Sequence, residues 1–121
     1  MNIYFDPIES EYVKNFFYEF FNDNGVFFEI IYSSEYIGFY GIKTITEKVC
    51  EISVYFTDTG RWKITKEIVF KCLKFPFSLG FTKVIIRTEL KKMTRFLSKL
   101  KKYGVNYLFK HNEIDWFEVL P

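Results

Sequence analysis

The chain runs to 121 residues, 49% hydrophobic and 22% aromatic, with 16 Phe, 9 Tyr and neither Ala nor Gln; that is one domain able to bury a core filled largely by aromatics, and its codon bias fits an AT-rich genome, bacterial or phage. No stretch reaches the roughly 18 apolar residues of a membrane span, Asp6 and Glu9 interrupt any early secretory run, and Cys50 and Cys72, without CxxC spacing, read as small buried hydrophobes of a reducing compartment, so a cytoplasmic location in a cell or infected host is expected. The net charge of +2 hides an asymmetry: residues 1–59 carry 3 Lys/Arg against 10 Asp/Glu, residues 60–110 carry 14 against 2, and residues 111–121 add 3 acidic groups.

Asn2 to Phe5 reads as a short strand. Asp6-Pro7 then resembles an N-cap followed by proline at the first helical position. Ile8, Tyr12, Val13, Phe16, Phe17, Phe20 and Phe21 recur at helical spacing and end in Asn22-Asp23-Asn24-Gly25, so the spacing predicts a helix with a core-facing Phe stripe. Val26–Tyr32, Tyr36–Ile42 and Val49–Thr57 are β-branched and aromatic runs separated by Ser33-Ser34-Glu35 and by Thr44–Lys48, an antiparallel meander. Gly38 and Gly41 inside the second run point to a bulge or a close backbone approach.

The third run stops at a polar turn with Gly60 and hands over to a basic amphipathic helix. Ile64, Ile68, Val69, Cys72 and Leu73 share its apolar face, and Pro76 predicts an end or kink near Lys74–Phe75. The unpaired N–H groups at such a helix start form a seat for phosphate. Leu79-Gly80-Phe81 leads into a buried strand, Lys83–Thr88, and strand, crossover helix and strand imply parallel pairing. Leu90, Met93, Phe96, Leu97 and Leu100 give another helical face coated with Lys and Arg, closed by Lys102-Tyr103-Gly104. Val105–Lys110 and Ile114–Leu120 are final strands around a His111-Asn112-Glu113 turn. The result is a single domain at 1–121 of mixed α+β class, with about six to seven strands in a mostly antiparallel sheet and about three helices, ordered β-α-β-β-β-α-β-α-β-β.

Strand alternation puts Glu51, Ser53 and Tyr55 opposite the core-facing Ile52, Val54 and Phe56, which reads Glu51 as an exposed carboxylate. His111 reads as a surface residue, and no Cys/His/Asp cluster has metal-ligand spacing, so no metal is expected. The basic, aromatic-interleaved helices admit nucleic acid, but no helix-turn-helix, RRM or KH signature is present.

With this order of elements, the chain resembles the GNAT superfamily of acetyl-CoA-dependent N-acetyltransferases over nearly its whole length. The resemblance is carried by Ser34-Glu35-Tyr36-Ile37-Gly38-Phe39, the strand-turn-helix at 50–74, Leu79-Gly80-Phe81, and Lys102-Tyr103-Gly104-Val105. It implies a GNAT-like fold, acetyl-CoA as cofactor, and an amine acceptor, small molecule or protein. It further implies that Val54–Thr57 and Val84–Thr88 run in the same direction and diverge, with the pantetheine arm in the gap along Val54, Tyr55 and Phe56. The pyrophosphate loop would then fall on Gly60-Arg61-Trp62-Lys63-Ile64-Thr65, with Lys66 beside it. Here the chain departs from the family's R/Q-x-x-G-x-G/A pattern, since Lys63 and Thr65 stand where small residues are expected; Arg61, Lys63 and Lys66 would pair with phosphate directly. The resemblance places Glu51 as the base, and Tyr103 as a weaker candidate acid, because Leu100 occupies the family's usual tyrosine place. The alternative is a GNAT-like protein without chemistry, a binding or virion-assembly component with a protein partner. A homodimer is among the open oligomeric states.

Overall fold

The computed structural model describes residues 3–8, 25–57 and 65–121. The helix expected from Ile8 to Phe21, beyond Ile8 itself, and turn residues 58–64 fall outside that range. Strands β1 (Ile3–Ile8), β2 (Gly25–Tyr32), β3 (Glu35–Thr44) and β4 (Val49–Phe56) form the antiparallel meander. Helix α1 (Lys66–Ser78), β5 (Lys83–Thr88), helix α2 (Lys91–Ser98), a single 3-10 turn (Lys101–Tyr103), β6 (Val105–His111) and β7 (Ile114–Val119) follow. The seven described strands join one sheet in the order β1-β2-β3-β4-β5-β7-β6.

The Asp6-Pro7 pair does not open a helix. It continues β1, with Asp6 opposite Glu29 and Pro7 opposite Phe28. β1 is an edge strand, where a proline's missing N–H need cost no ladder bond. At Gly38 the register slips against Ile30 and Ile31, and a Cβ there would collide with the Tyr55 carbonyl, so the close approach expected of this glycine is real. Gly104 sits at φ 91°, and a Cβ on it would come within 2.5 Å of the Leu120 carbonyl.

Pro76 neither ends nor precedes the end of α1 by a break; the helix runs on to Ser78. Proline removes the N–H that would serve the Cys72 carbonyl one turn back. The buried Tyr40 hydroxyl, from β3, donates to that carbonyl at 2.6 Å instead. The turn after α1 closes with Gly80 at φ 101° and Phe81 N–H donating to the Pro76 carbonyl.

The two described α-helices lie on the same face of the sheet. Ile68, Cys72 and Leu73 of α1 and Leu97 of α2 pack with Ile30, Tyr40, Ile52, Val84 and Phe117 in one core. Period two therefore turns Cys50, Ile52, Val54 and Phe56 toward the helices and Glu51, Ser53 and Tyr55 away from them.

Candidate functional site

The site begins where the sheet forks. β4 and β5 run parallel, but only three rungs hold them: Val49 with Lys83, Cys50 with Val84, and Glu51 with Ile85. Beyond that point β4 stays paired to β3 through Phe56, and β5 to β7 through Thr88. Two strands tied to different neighbours splay, and a cleft of about 500 Å³ opens between them under the helices. This lies within the range typical of small-molecule sites.

Ile52, Val54 and Phe56 form one wall and Ile86, Arg87 and Thr88 the other. Val69, Cys72 and Leu73 of α1 and Met93 and Leu97 of α2 cover it, and Leu90 stands at α2's amino end. The lining is mostly apolar, with Ser53, Arg87, Thr88 and Glu89 as polar exceptions. Burial pushes the Cys72 thiol up to about 12, so it is an unreactive wall rather than a nucleophile.

Glu51 occupies the last shared rung, and it is not an exposed carboxylate. It is 5% exposed, and Arg87 Nε donates to its Oε2 at 2.6 Å. Alternation assigned it to the correct face, but that face is covered at the fork. Burial raises the Glu51 pKa, while the Arg87 and Lys43 charges pull it down. Arg87, whose guanidinium carbon lies 5.4 Å from the Trp116 ring centroid, is the functional candidate the sequence reading passed over. The available signal was an arginine closing the apolar run Val84-Ile85-Ile86, which Lys83 opens.

The other residues singled out from the sequence are divided. Val54 and Phe56 line the cleft. Tyr55 points to the opposite face, its ring stacked on Phe39 at 6.4 Å. Thr65 caps α1, its Oγ1 accepting from Ile68 N at 3.3 Å, so one of the free amides at the helix start is already used. Lys66 lies over the rings of Phe70 and Tyr103, at 5.7 and 5.1 Å. Arg61, Trp62, Lys63 and Ile64 are outside the described residues. Tyr103 packs edge-on against Phe70 at 4.7 Å and is not among the residues lining the cleft. The flanking Lys102 and Lys66 hold its hydroxyl below the usual range. His111 is exposed. Among the described residues there is no cluster suited to a metal ion, and no helix long and apolar enough to cross a membrane.

No protein-family model and no curated protein matches the chain. Solved structures do. PseH, an N-acetyltransferase of Campylobacter jejuni in complex with acetyl coenzyme A, superposes with TM-score 0.66 over 98% of this chain and 99% of that one at 12% identity. A chimera of the spermidine N-acetyltransferase SpeG from Vibrio cholerae and hSSAT gives TM-score 0.69 over 99% and 96% at 11% identity. An acetyltransferase of Bacillus subtilis in complex with CoA gives 0.67 over 99% and 99% at 13% identity. The chain has the GNAT fold, and at these identities the fold is what is shared.

Proposed function

We propose that this chain is an acetyl-CoA-dependent N-acetyltransferase acting on an amine. The observation that carries the reading is the fork itself: three parallel rungs, then a mostly apolar cleft bounded by α1 and α2. The described residues fit a pantetheine arm. Past Glu51 the ladder to β5 has ended, so β4 turns a strand edge toward the cleft, and a strand edge offers N–H and C=O groups to the amides of an extended ligand. Ile52, Val54, Phe56 and Val69 supply the apolar contact. Acetyl-CoA bound there would bring an activated thioester. The solved N-acetyltransferases of the same fold, one of them described with acetyl coenzyme A, support the same assignment.

The chain's own contribution is to take a proton. An ammonium is not a nucleophile, so the acceptor must lose a proton before or during attack. Glu51 is the described group we assign to that task. It stands at the fork on the sheet face away from the helices, itself outside the cleft lining but bonded to Arg87, which is part of that lining, and burial moves its pKa upward, which makes it a stronger proton acceptor than a solvated carboxylate. Below that pKa the carboxyl is protonated and cannot act, so activity falls as pH is lowered.

Isothermal titration with acetyl-CoA tests the reading. Saturable binding with a dissociation constant below about 1 mM is expected. Val54→Trp, which fills the cleft from β4, should abolish it, whereas His111→Ala in the exposed hairpin should not. No heat of binding at millimolar acetyl-CoA rejects the proposal. For turnover, spermidine and lysine-containing peptides are the first acceptors to try, since spermidine is the amine named for the similar SpeG structures.

A further inference from the structure

We propose that Arg87 positions the Glu51 carboxylate at the fork of the sheet and acts on acetyl transfer through it. The inference rests on the assignment of Glu51 as proton acceptor and adds the residue that sets its place. Register supplies the first argument. Glu51 pairs with Ile85 on the last common rung, so Arg87, two residues further along β5, shares the face of Ile85 but stands past the fork. It reaches back across the opening and donates Nε to Glu51 Oε2 at 2.6 Å. The contact ties the two arms of the sheet just where backbone pairing ends.

Arg87 is itself held from the other side. It lies opposite Trp116 in the β5–β7 ladder, with its guanidinium 5.4 Å from that ring's centroid. Trp116 in turn stacks on Phe109, with centroids 5.6 Å apart and planes 22° apart. A guanidinium bonded to a carboxylate through Nε while it lies over an indole ring has restricted freedom to swing, and that restriction passes to Glu51. A buried ion pair is a weak source of net stability, because desolvation offsets the attraction. Placement of the carboxylate is the service this pair performs best.

Among the described residues, these charges face Glu51 from the neighbouring strands. Lys43 stands opposite it on β3, Arg87 reaches it from β5, and Glu118 lies across Ile85 on β7, already bridged to Lys83 at 3.8 Å. Arg87 is the leading charge holding the carboxyl down against the upward push of burial. Its removal leaves burial less opposed, so Glu51 keeps its proton to higher pH. The acid limb of kcat/KM should then move up.

The experiment pairs two readouts on Arg87→Met, Arg87→Lys and Glu51→Gln, each first checked for a native circular dichroism spectrum. One is a carbon NMR titration of the Glu51 carboxyl, which needs no turnover. The other is the pH profile of kcat/KM with acetyl-CoA and an amine. In Arg87→Met both the titration and the acid limb should shift upward together, by on the order of one pH unit, with kcat/KM losing more on the acid side than at pH 9. Arg87→Lys, which keeps the charge but loses the planar stack, should restore the limb while kcat stays depressed. A Glu51 titration unmoved in Arg87→Met overturns the pairing whatever the enzyme does. A titration that moves while the limb stays fixed, or a uniform loss at every pH, also overturns it and makes Arg87 structural. Full activity in Glu51→Gln removes the assignment of Glu51 as base, and the proposal with it, while leaving acetyl-CoA binding in the cleft intact.

Discussion

The two helices that cover the cleft are held in different ways. α1 buries Ile68, Cys72, Leu73 and Pro76, is capped by Thr65, and receives the Tyr40 hydroxyl on the carbonyl that Pro76 leaves without its usual partner. Lys74 anchors it again, with Nζ donating to the Tyr103 and Leu120 carbonyls at 2.8 and 2.9 Å. Phe75 adds stacking on Phe5 at 4.3 Å. α2 spans eight residues, fully buries only Leu97, and has no side-chain cap at Leu90. Its polar tie to the sheet is Thr94 Oγ1, which donates to Asp115 Oδ2 at 2.8 Å. A ligand cleft with one fixed wall and one lightly held wall can keep its shape and still admit a ligand, because binding elements are drawn from the less stable parts of a fold. In native-state hydrogen exchange, amides of α2 should therefore open before those of α1.

The largest effect is expected where the weak wall has its single buried anchor. Leu97 is 1% exposed and packs in the main core, so Leu97→Ala should cost about 2–5 kcal/mol. Urea unfolding measures the loss. A loss below about 1 kcal/mol would mean that α2 is barely docked and would sharpen the contrast further. If α2 amides then still exchange no faster than those of α1, the contrast itself is wrong.

Tyr40→Phe tests the strong wall. It removes one hydroxyl from a site that is fully buried, and leaves the Cys72 carbonyl without the bond that Pro76 cannot give. The expected cost is about 1–3 kcal/mol by denaturant unfolding. A neutral result would show that the carbonyl does not depend on Tyr40 and that α1 tolerates Pro76 for some other reason.

Those same contacts mark what could be read from the sequence and what could not. The strands were legible because β-branched and aromatic runs are bounded by Ser33-Ser34, Thr44–Lys48 and Asn112-Glu113. The parallel fork followed from strand, helix and strand in that order. Asp6-Pro7 misled because the same dipeptide opens helices and terminates nothing at a sheet edge, and only the strand order says that β1 is an edge. Helix α1 does not end near Lys74–Phe75 but runs on to Ser78, because the bond that Pro76 removes is replaced by Tyr40, on a strand far back in the chain. Glu51 takes the face that alternation gives it but is buried rather than exposed, and its ion-pair partner Arg87 lies 36 residues on. Local pattern fixes which face a side chain takes; long-range pairing decides whether that face is wet.

The smallest effect concerns the uncapped start of α2. Leu90 holds the N-cap position with extended backbone, φ −85° and ψ 117°; its carbonyl accepts from Thr94 N–H, but its side chain offers no acceptor to the first helix amides. It is 66% exposed, so its side chain contributes little by burial. Leu90→Ser supplies an oxygen for one of the first free N–H groups and should stabilise the protein by about 0.5–1 kcal/mol. Stability should rise while hydrogen exchange of α2 slows toward that of α1. Because Leu90 also borders the cleft, acetyl-CoA titration on the same variant separates two roles. Unchanged affinity with slower exchange means that looseness of α2 is dispensable for entry. Weakened affinity or a slower association rate with slower exchange means that the lightly held wall is how the cleft admits its ligand.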